Sequence, residues 1–287
     1  MKVFNLLKDF LIKKEIYYIQ EESSFESALI DIESNNLLAF DTEFIWRNTY
    51  FPKLSLIQVC TENKIYILDC LALDVSKIHK VLADKNVTKI FHSVRGDSSV
   101  LYNCLNIKLE NIFDTQLAEG ILNQTKGVQI SYKKIVKKYF LKDISKSETN
   151  SDWESRPLRN TQIKYAAEDV RYLHSIMRIQ NKKLKRLNKL NLFHLQCEKE
   201  KNLGEEDFSE SRLKRLLKKN KNASQLEIDI FNWRESQARK MDVPPSHILQ
   251  DRDLKHLKKI VEKKKFDECR WIIKKDSSRN DFMKYFL

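Results

Sequence analysis

The stretch Leu37-Leu38-Ala39-Phe40-Asp41-Thr42-Glu43-Phe44 decides the fold of this chain. Its four leading apolar residues predict a buried β-strand, and Asp41 and Glu43, two positions apart, project from the same face of that strand. Two acids on an apolar strand are costly unless something compensates their charge. Taken alone, the pair is also explained by a strand end that emerges into solvent or by ordinary salt bridges.

The residues around this strand predict an α/β fold. Further strands are predicted from apolar runs at Leu54–Cys60, Ile65–Leu68 and Lys89–His92, of which the first two complete a meander. Helical periodicity is found at Ser76–Leu82, Ser98–Leu105, Thr115–Leu122, Tyr132–Tyr139 and in one long stretch from Thr161 to about Leu190. This order predicts a mixed sheet flanked by helices.

A second, all-helical region is expected at the C-terminal end. The polar stretch Glu198–Glu210 predicts a linker, so residues 1–204 and 205–287 are interpreted as two domains. Amphipathic helices are predicted at Arg212–Leu217, Gln225–Lys240 and Asp253–Glu262.

The charge of the chain is concentrated in its last third. The net charge is +13, but residues 1–177 carry 24 Lys and Arg against 23 Asp and Glu, while residues 178–287 carry 29 against 17. This asymmetry favours a polyanionic partner, and nucleic acid is preferred because no membrane-anchoring sequence is present. Lysine-rich helices that are simply solvated, or codon bias, would give the same composition.

Several classes of protein are excluded by composition. With 41% hydrophobic residues and only 4 Gly and 4 Pro, the chain is globular and not disordered. The apolar stretch Phe4–Ile12 is too short and too charged for a signal peptide or a membrane span, so we expect a cytoplasmic protein without a membrane partner. No zinc site or disulfide is expected, because the cysteines are scattered and odd in number: Cys60, Cys70, Cys104, Cys197 and Cys269.

Further acids follow at positions that are unremarkable singly. Asp97 ends the sequence His92-Ser93-Val94-Arg95-Gly96-Asp97, where it fits the first turn of a helix. Tyr165 and Asp169 are four residues apart within the predicted long helix and therefore share one face. An exposed helix face would explain this second pair equally well.

Together these motifs resemble the ribonuclease D family of the DEDD exonuclease superfamily, in the subgroup with a tyrosine before the last aspartate. The resemblance covers most of residues 37–180 and rests on linked segments in a fixed order: Phe40–Phe44, Tyr50–Gln58, Phe91–Asp97, Phe113–Gln116, Lys146–Glu148, Asp152-Trp153, Arg156–Leu158 and Tyr165–Leu173. It implies a ribonuclease H-like exonuclease domain.

The resemblance also implies a metal site. Two like charges about 4 Å apart repel by about 4 kcal/mol at an effective dielectric near 20, so clustered carboxylates need protons or cations. Hard oxygen ligands select Mg²⁺ or Mn²⁺, and the superfamily uses two such ions. Tyr165 is expected to orient the attacking water, and Asp114 is expected to be structural. The implied metal ligands, which are also catalytic residues, are Asp41, Glu43, Asp97 and Asp169.

Contacts to the substrate are predicted beside these acids. Thr42, Phe44 and His92 are candidates to touch the terminal nucleotide, with an aromatic edge against a base. The alternatives are that Phe44 belongs to the core and that His92 ends a buried strand. Trp46 and Tyr50 could likewise contact a nucleic-acid strand or serve in packing.

The C-terminal region resembles the helicase-and-RNase-D C-terminal (HRDC) domain, a small helical nucleic-acid-binding module. The resemblance rests on Phe231–Glu235, Ala238-Arg239, Val243–Pro245 and Ile248-Leu249. Bacterial members of the family typically have two such domains, whereas this sequence shows one, which leaves enclosure of the substrate in doubt.

The expected function is that of a 3′→5′ exoribonuclease that releases nucleoside 5′-monophosphates. By resemblance, its partner is an RNA 3′ end, such as that of a tRNA precursor or another small structured RNA, and we expect a monomer. Two alternatives remain open. One is a 3′→5′ DNA exonuclease, because proofreading domains share the four acids and no residue visibly reads a 2′-hydroxyl. The other is a non-catalytic nucleic-acid-binding protein on a nuclease scaffold.

Overall fold

The computed structural model describes residues 14–124, 129–145 and 147–287. The stretch Phe4–Ile12, for which the sequence predicted neither a signal peptide nor a membrane span, lies outside these residues. Among the helices that the structure describes, none is long and apolar enough to cross a membrane.

The described residues form two compact units. The first comprises the chain up to Ile45 together with Leu54–Glu205. The second comprises Glu206–Leu287 and also the short segment Trp46–Lys53, which directly follows the strand that carries Asp41 and Glu43. Residues 46–53 thus belong to the C-terminal unit, although they are far from the rest of it in sequence.

The first unit is built on a six-stranded sheet in the order β1-β4-β3-β2-β5-β6. Its strands are β1 (Glu15–Ile19), β2 (Leu37–Ile45), β3 (Lys53–Cys60), β4 (Lys64–Asp69), β5 (Thr88–Phe91) and β6 (Ile112–Asp114). β3 and β4 are antiparallel, while β1 pairs with β4, β2 with β5 and β5 with β6 in parallel. The predicted mixed sheet and its four predicted strands are confirmed.

The two edge strands, β1 and β6, were not predicted from the sequence. β1 has the sequence Glu-Ile-Tyr-Tyr-Ile, and only Ile19 in it is buried, so it lacks the apolar run of a central strand. β6 has three residues and is too short for any periodicity to appear. Both strands are specified by pairing with a neighbour and not by their own pattern.

Both faces of the sheet are buried, because successive strand residues point to opposite sides. On β2, Leu38 and Phe40 belong to one apolar cluster and Ala39 to the other; on β4, Leu68 and Ile67 divide in the same way. Helices cover these faces, as expected for a sheet with parallel pairing.

The helices of the first unit are α1 (Glu22–Glu33), α2 (His79–Leu82), α3 (Arg95–Leu105), α4 (Thr115–Leu122), α5 (Tyr132–Phe140), α6 (Asn160–Arg171), α7 (Leu173–Arg186) and α8 (Leu190–Gly204). The single long helix predicted from Thr161 to about Leu190 is wrong. The Tyr132 hydroxyl donates to the Glu168 carbonyl at 3.0 Å and accepts from the Tyr172 N–H at 3.1 Å. It stands between the two groups of one i→i−4 backbone bond, and the helix is interrupted there.

The predicted linker Glu198–Glu210 is also wrong over its first half, because α8 continues to Gly204. Phe193, Cys197 and Lys201 are buried at helical spacing on α8. Gly204 lies so close to the start of α3 that an added Cβ would be 2.5 Å from the Arg95 carbonyl oxygen. Contact with α3 therefore stabilises a helix whose own sequence is largely polar.

The second unit is helical and has its own core. Its α-helices are α9 (Phe208–Lys219), α10 (Gln225–Met241), α11 (Pro245–Ile248), α12 (Leu254–Glu262) and α13 (Asp276–Phe286). Tyr50 is fully buried among them and donates its hydroxyl to Glu235 at 3.1 Å. The Arg212 guanidinium lies 4.7 Å from the centre of the Tyr50 ring. Tyr50 therefore packs in a core, which was one of its two predicted roles.

Candidate active site

Three acids converge at the end of β2. One carboxylate oxygen from each of Asp41, Glu43 and Asp169 lies within 4.8 Å of the others. Strand alternation brings the first two to the same side, and α6 presents Asp169 to them. The structure thus gathers three of the four predicted ligands into one group.

The fourth acid, Asp97, lies beside this group in the first turn of α3. β2 and β5 run parallel, with Ala39 opposite Ile90, so residues that follow β5 reach the same sheet edge as Asp41. The Thr42 hydroxyl donates a 2.7 Å hydrogen bond to Asp97 Oδ1, and both residues are 7% exposed. Thr42 therefore fixes one oxygen of Asp97.

Asp114 holds the segment that delivers Asp97. Its carboxylate accepts backbone N–H bonds from Ser93, Val94, Gln116 and Leu117 at 2.8–3.2 Å, and so caps α4 while it restrains the approach to α3. Ser93 has φ 71°, a conformation uncommon for a residue with a side chain. Both carboxylate oxygens of Asp114 thus accept hydrogen bonds from the backbone.

Burial and mutual repulsion shape the electrostatics of the four acids. The pKa of Asp41 is raised well above its ordinary value by burial and then by the charges of Asp97, Asp169 and Glu43. Burial, with Asp169 and Asp97, raises the pKa of Glu43 to about 9, and burial raises the pKa of Asp97 to about 7. Without cations, Asp41 and Glu43 therefore hold protons at neutral pH.

The donor set fits hard divalent cations. It consists of carboxylate oxygens only, without sulfur or imidazole in the group, which favours Mg²⁺ or Mn²⁺ over zinc. Because a cation would stabilise the ionised form of each acid, it would offset the cost of their burial together.

Tyr165 lies one helical turn before Asp169. Burial, followed by the charge of Asp169, raises its pKa, so the phenol is protonated at neutral pH. Its hydroxyl is 3.2 Å from Thr149 Oγ1, and its ring is 6.0 Å from that of Trp153. Sequence reasoning assigned no role to Thr149, although the neighbouring Asp152-Trp153 belongs to the family resemblance.

The three residues predicted to touch substrate have contacts within the protein. Thr42 binds Asp97, as described, and Phe44 is partly buried against the core of one sheet face. The ring nitrogens of His92 lie 2.9 Å from Thr115 Oγ1 and 3.1 Å from the Ile130 carbonyl. Contact with a nucleotide stays a prediction for all three.

Comparison with known proteins defines the class. Residues 16–185, more than half of the chain, match the family model described as 3'-5' exonuclease. This is a family that uses divalent metal ions.

Curated relatives narrow the family further. Ribonuclease D of Pseudomonas paraeruginosa is 30% identical over 262 residues, which are 90% of this chain and 69% of that protein. Ribonuclease D of Desulfotalea psychrophila is 31% identical over 223 residues, covering 75% of this chain and 59% of the relative. The chain therefore belongs to the ribonuclease D family, and it spans between three fifths and about two thirds of the length of these relatives.

A solved structure supports the fold. The crystal structure of Escherichia coli RNase D, described as an exoribonuclease involved in structured RNA processing, superposes with a TM-score of 0.77 at 23% identity. The match covers 87% of this chain and 67% of that one. The predicted exonuclease fold is confirmed by this similarity.

Proposed function

We propose that the protein is a 3′→5′ exoribonuclease that releases nucleoside 5′-monophosphates. The observation that carries the proposal is the group of Asp41, Glu43 and Asp169, each of which places one carboxylate oxygen within 4.8 Å of the others. Such a group of partly buried acids costs stability unless it binds cations, which indicates a role other than structural. Membership of the ribonuclease D family supplies the reaction that such a site would perform.

We further propose that the acids hold two divalent cations, Mg²⁺ or Mn²⁺. Asp41, Glu43 and Asp169 would hold one ion, and Asp41 with Asp97 would hold the other. When bound, such ions clamp the attacking and leaving oxygens of an in-line displacement at phosphorus.

The remaining tasks belong to the side chains around the acids. Tyr165, with its protonated phenol beside Asp169, would hydrogen-bond to the attacking water and orient it. Thr42 would keep Asp97 in place through its 2.7 Å hydrogen bond. The bond that breaks is the one to the 3′-oxygen of the preceding nucleotide, so the released product carries a 5′-phosphate.

The C-terminal third would hold the RNA. With 29 Lys and Arg against 17 Asp and Glu in residues 178–287, it offers a surface for phosphate contacts that depend on salt and little on sequence. Its resemblance to HRDC domains favours the same role. Because the Escherichia coli relative is described as acting in structured RNA processing, we propose 3′ ends of tRNA precursors and other small structured RNAs as substrates.

The test uses purified protein with 5′-labelled RNA and DNA of identical sequence, in Mg²⁺ or Mn²⁺ and in chelator. We expect stepwise shortening of the RNA from its 3′ end with release of mononucleotides, and no reaction in chelator. Asp41→Asn should be inactive, while Glu110→Gln, which alters an exposed acid of the same unit, should match the unaltered chain.

The alternatives give different results in the same assay. Preferential digestion of the DNA strand would favour a DNA exonuclease. Retention of RNA on a filter without any shortening, at every metal concentration tried, would favour a binding protein and overturn the proposal.

A further inference from the structure

A segment without helix or strand, Ser147–Leu158, lies against Tyr165. Thr149 places its hydroxyl 3.2 Å from the phenol oxygen. Trp153, which is 3% exposed, places its ring 6.0 Å from the phenol ring at an angle of 42°. One residue of the segment thus contacts the ring of Tyr165, and another contacts its hydroxyl.

The segment is fixed to the sheet by Arg156. Its guanidinium binds both carboxylate oxygens of Asp69, the last residue of β4, at 2.6 and 2.8 Å. The same guanidinium donates to the Trp153 carbonyl at 2.8 Å and to the Ser55 hydroxyl at 3.1 Å. A two-pronged ion pair sets orientation as well as distance, so Trp153 is held in a defined place beside Tyr165.

The other half of the segment is fixed to the start of α6. Arg159 donates to Glu148 and to the Ser151 hydroxyl, each at 2.7 Å. Gln162 donates to the same hydroxyl at 3.0 Å and to the Asp152 carbonyl at 2.9 Å. Thr149 lies between Glu148 and Ser151 in sequence, so these contacts fix its position relative to α6, the helix that carries Tyr165.

From these contacts we infer that Thr149 is a positioning residue for Tyr165, which it orients through a hydrogen bond to the phenol oxygen. The inference rests on the proposed function. A phenol hydroxyl can donate one hydrogen bond and can also accept one. Because Trp153 holds the ring of Tyr165, the freedom that remains to the hydroxyl is rotation about the C–O bond. A hydroxyl partner on one side restricts that rotation and leaves the other hydrogen-bonding direction for the attacking water.

The exposure of Thr149 allows its positioning role to be tested separately from a role in holding the segment together. The residue is exposed, while the anchors of the segment are the buried Trp153 and the Arg156–Asp69 pair. Thr149→Val keeps the shape of the side chain and removes only the hydroxyl. The anchors of the segment are unchanged in this variant, so the loss should appear in turnover.

The test measures kcat and KM on RNA with the full chain. Thr149→Val should lower kcat about five-fold at unchanged KM, the size expected for one lost hydrogen bond. Thr149→Ser should restore turnover, and Ser155→Ala, which removes an exposed hydroxyl from the same segment, should leave it unaltered. In a Tyr165→Phe background, Thr149→Val should have no further effect, because the oxygen that it orients is gone.

Two results would overturn the inference alone: full kcat in Thr149→Val, or an equal loss in the Tyr165→Phe background. An inactive unaltered chain is a different result, since it would overturn the proposed function and this inference with it. Circular dichroism and thermal unfolding of Thr149→Val establish that any loss is not due to misfolding. A raised KM with normal kcat would assign Thr149 to RNA binding and would also contradict the inference.

Discussion

Each of the two units contains acidic side chains with little exposure, but the charges that surround these acids differ between the units. In the second unit, Glu235 is 3% exposed and is bound by Arg212 at 2.8 Å and by Arg234 at 3.1 Å, with the Tyr50 hydroxyl as a third partner. In the first unit, burial and then the charges of Asp97, Asp169 and Glu43 raise the pKa of Asp41. Matched charge belongs to a stable core, whereas accumulated like charge indicates a site that binds cations.

The largest expected effect is the loss of catalysis when one of the clustered acids is replaced. Asp41→Asn or Asp169→Asn should lower mononucleotide release by about 10³-fold or more, because each removes a metal ligand. Single-turnover digestion of labelled RNA measures this loss. If either variant kept more than a tenth of the activity, the assignment of that acid would be wrong.

The next effect is on stability in the second unit. Glu235→Gln removes the charge that Arg212 and Arg234 share, and should lower the free energy of unfolding by about 3 kcal/mol. Urea unfolding followed by tryptophan fluorescence measures the change. As the matched comparison, Asp41→Asn in chelator should not be destabilised, since it breaks no ion pair among the described residues.

Divalent cations should stabilise the chain through the acids at the end of β2 and not through the paired Glu235. Mg²⁺ or Mn²⁺ at 100 times its dissociation constant should stabilise the folded chain by about 2.7 kcal/mol for each ion bound. The rise in melting temperature should be lost in Asp169→Asn and kept in Glu235→Gln. An equal rise in all three proteins would mean that the ions bind elsewhere.

A further effect is a dependence of stability on pH in chelator. The folded-state pKa of Glu43, about 9, lies above its ordinary value of 4.5. The folded state therefore binds more protons than the unfolded state between these values, and stability falls as pH rises from about 4.5 to about 9. Glu43→Gln should flatten this decline, as measured by melting temperature across the range, and saturating Mg²⁺ should reduce it. A decline of the same slope in Glu43→Gln would contradict the shift.

The sequence predicted the central strands because their signals are local, whereas the grouping of all four acids was expected only from the family resemblance. The apolar run of β2 and the two-residue spacing of Asp41 and Glu43 specify a strand with both acids on one side. β1 was missed because its edge pattern has a single buried residue, Ile19. The end of α8 was missed because its apolar face is narrow and its burial depends on α3.

The supporting contacts of the site could not be predicted, since they join residues distant in sequence. Arg156 and Asp69 are 87 positions apart, and nothing in either local pattern indicates the other. Thr42 was proposed to contact substrate, yet its hydroxyl binds Asp97, 55 positions away. Family motifs indicated where important residues lie, but the geometry was needed to show which partner each one has.

One hydroxyl group, that of Tyr132, has an influence larger than its contacts suggest. By entering the backbone ladder between Glu168 and Tyr172, it turns one predicted helix into two that both reach β2. α6 brings Asp169 to the acids at one end of the strand, while His174 of α7 lies 3.2 Å from the Leu37 carbonyl at the other. A genetic screen for inactive variants should therefore recover Tyr132→Phe, although the lesion is a single oxygen atom in a residue outside the acid group.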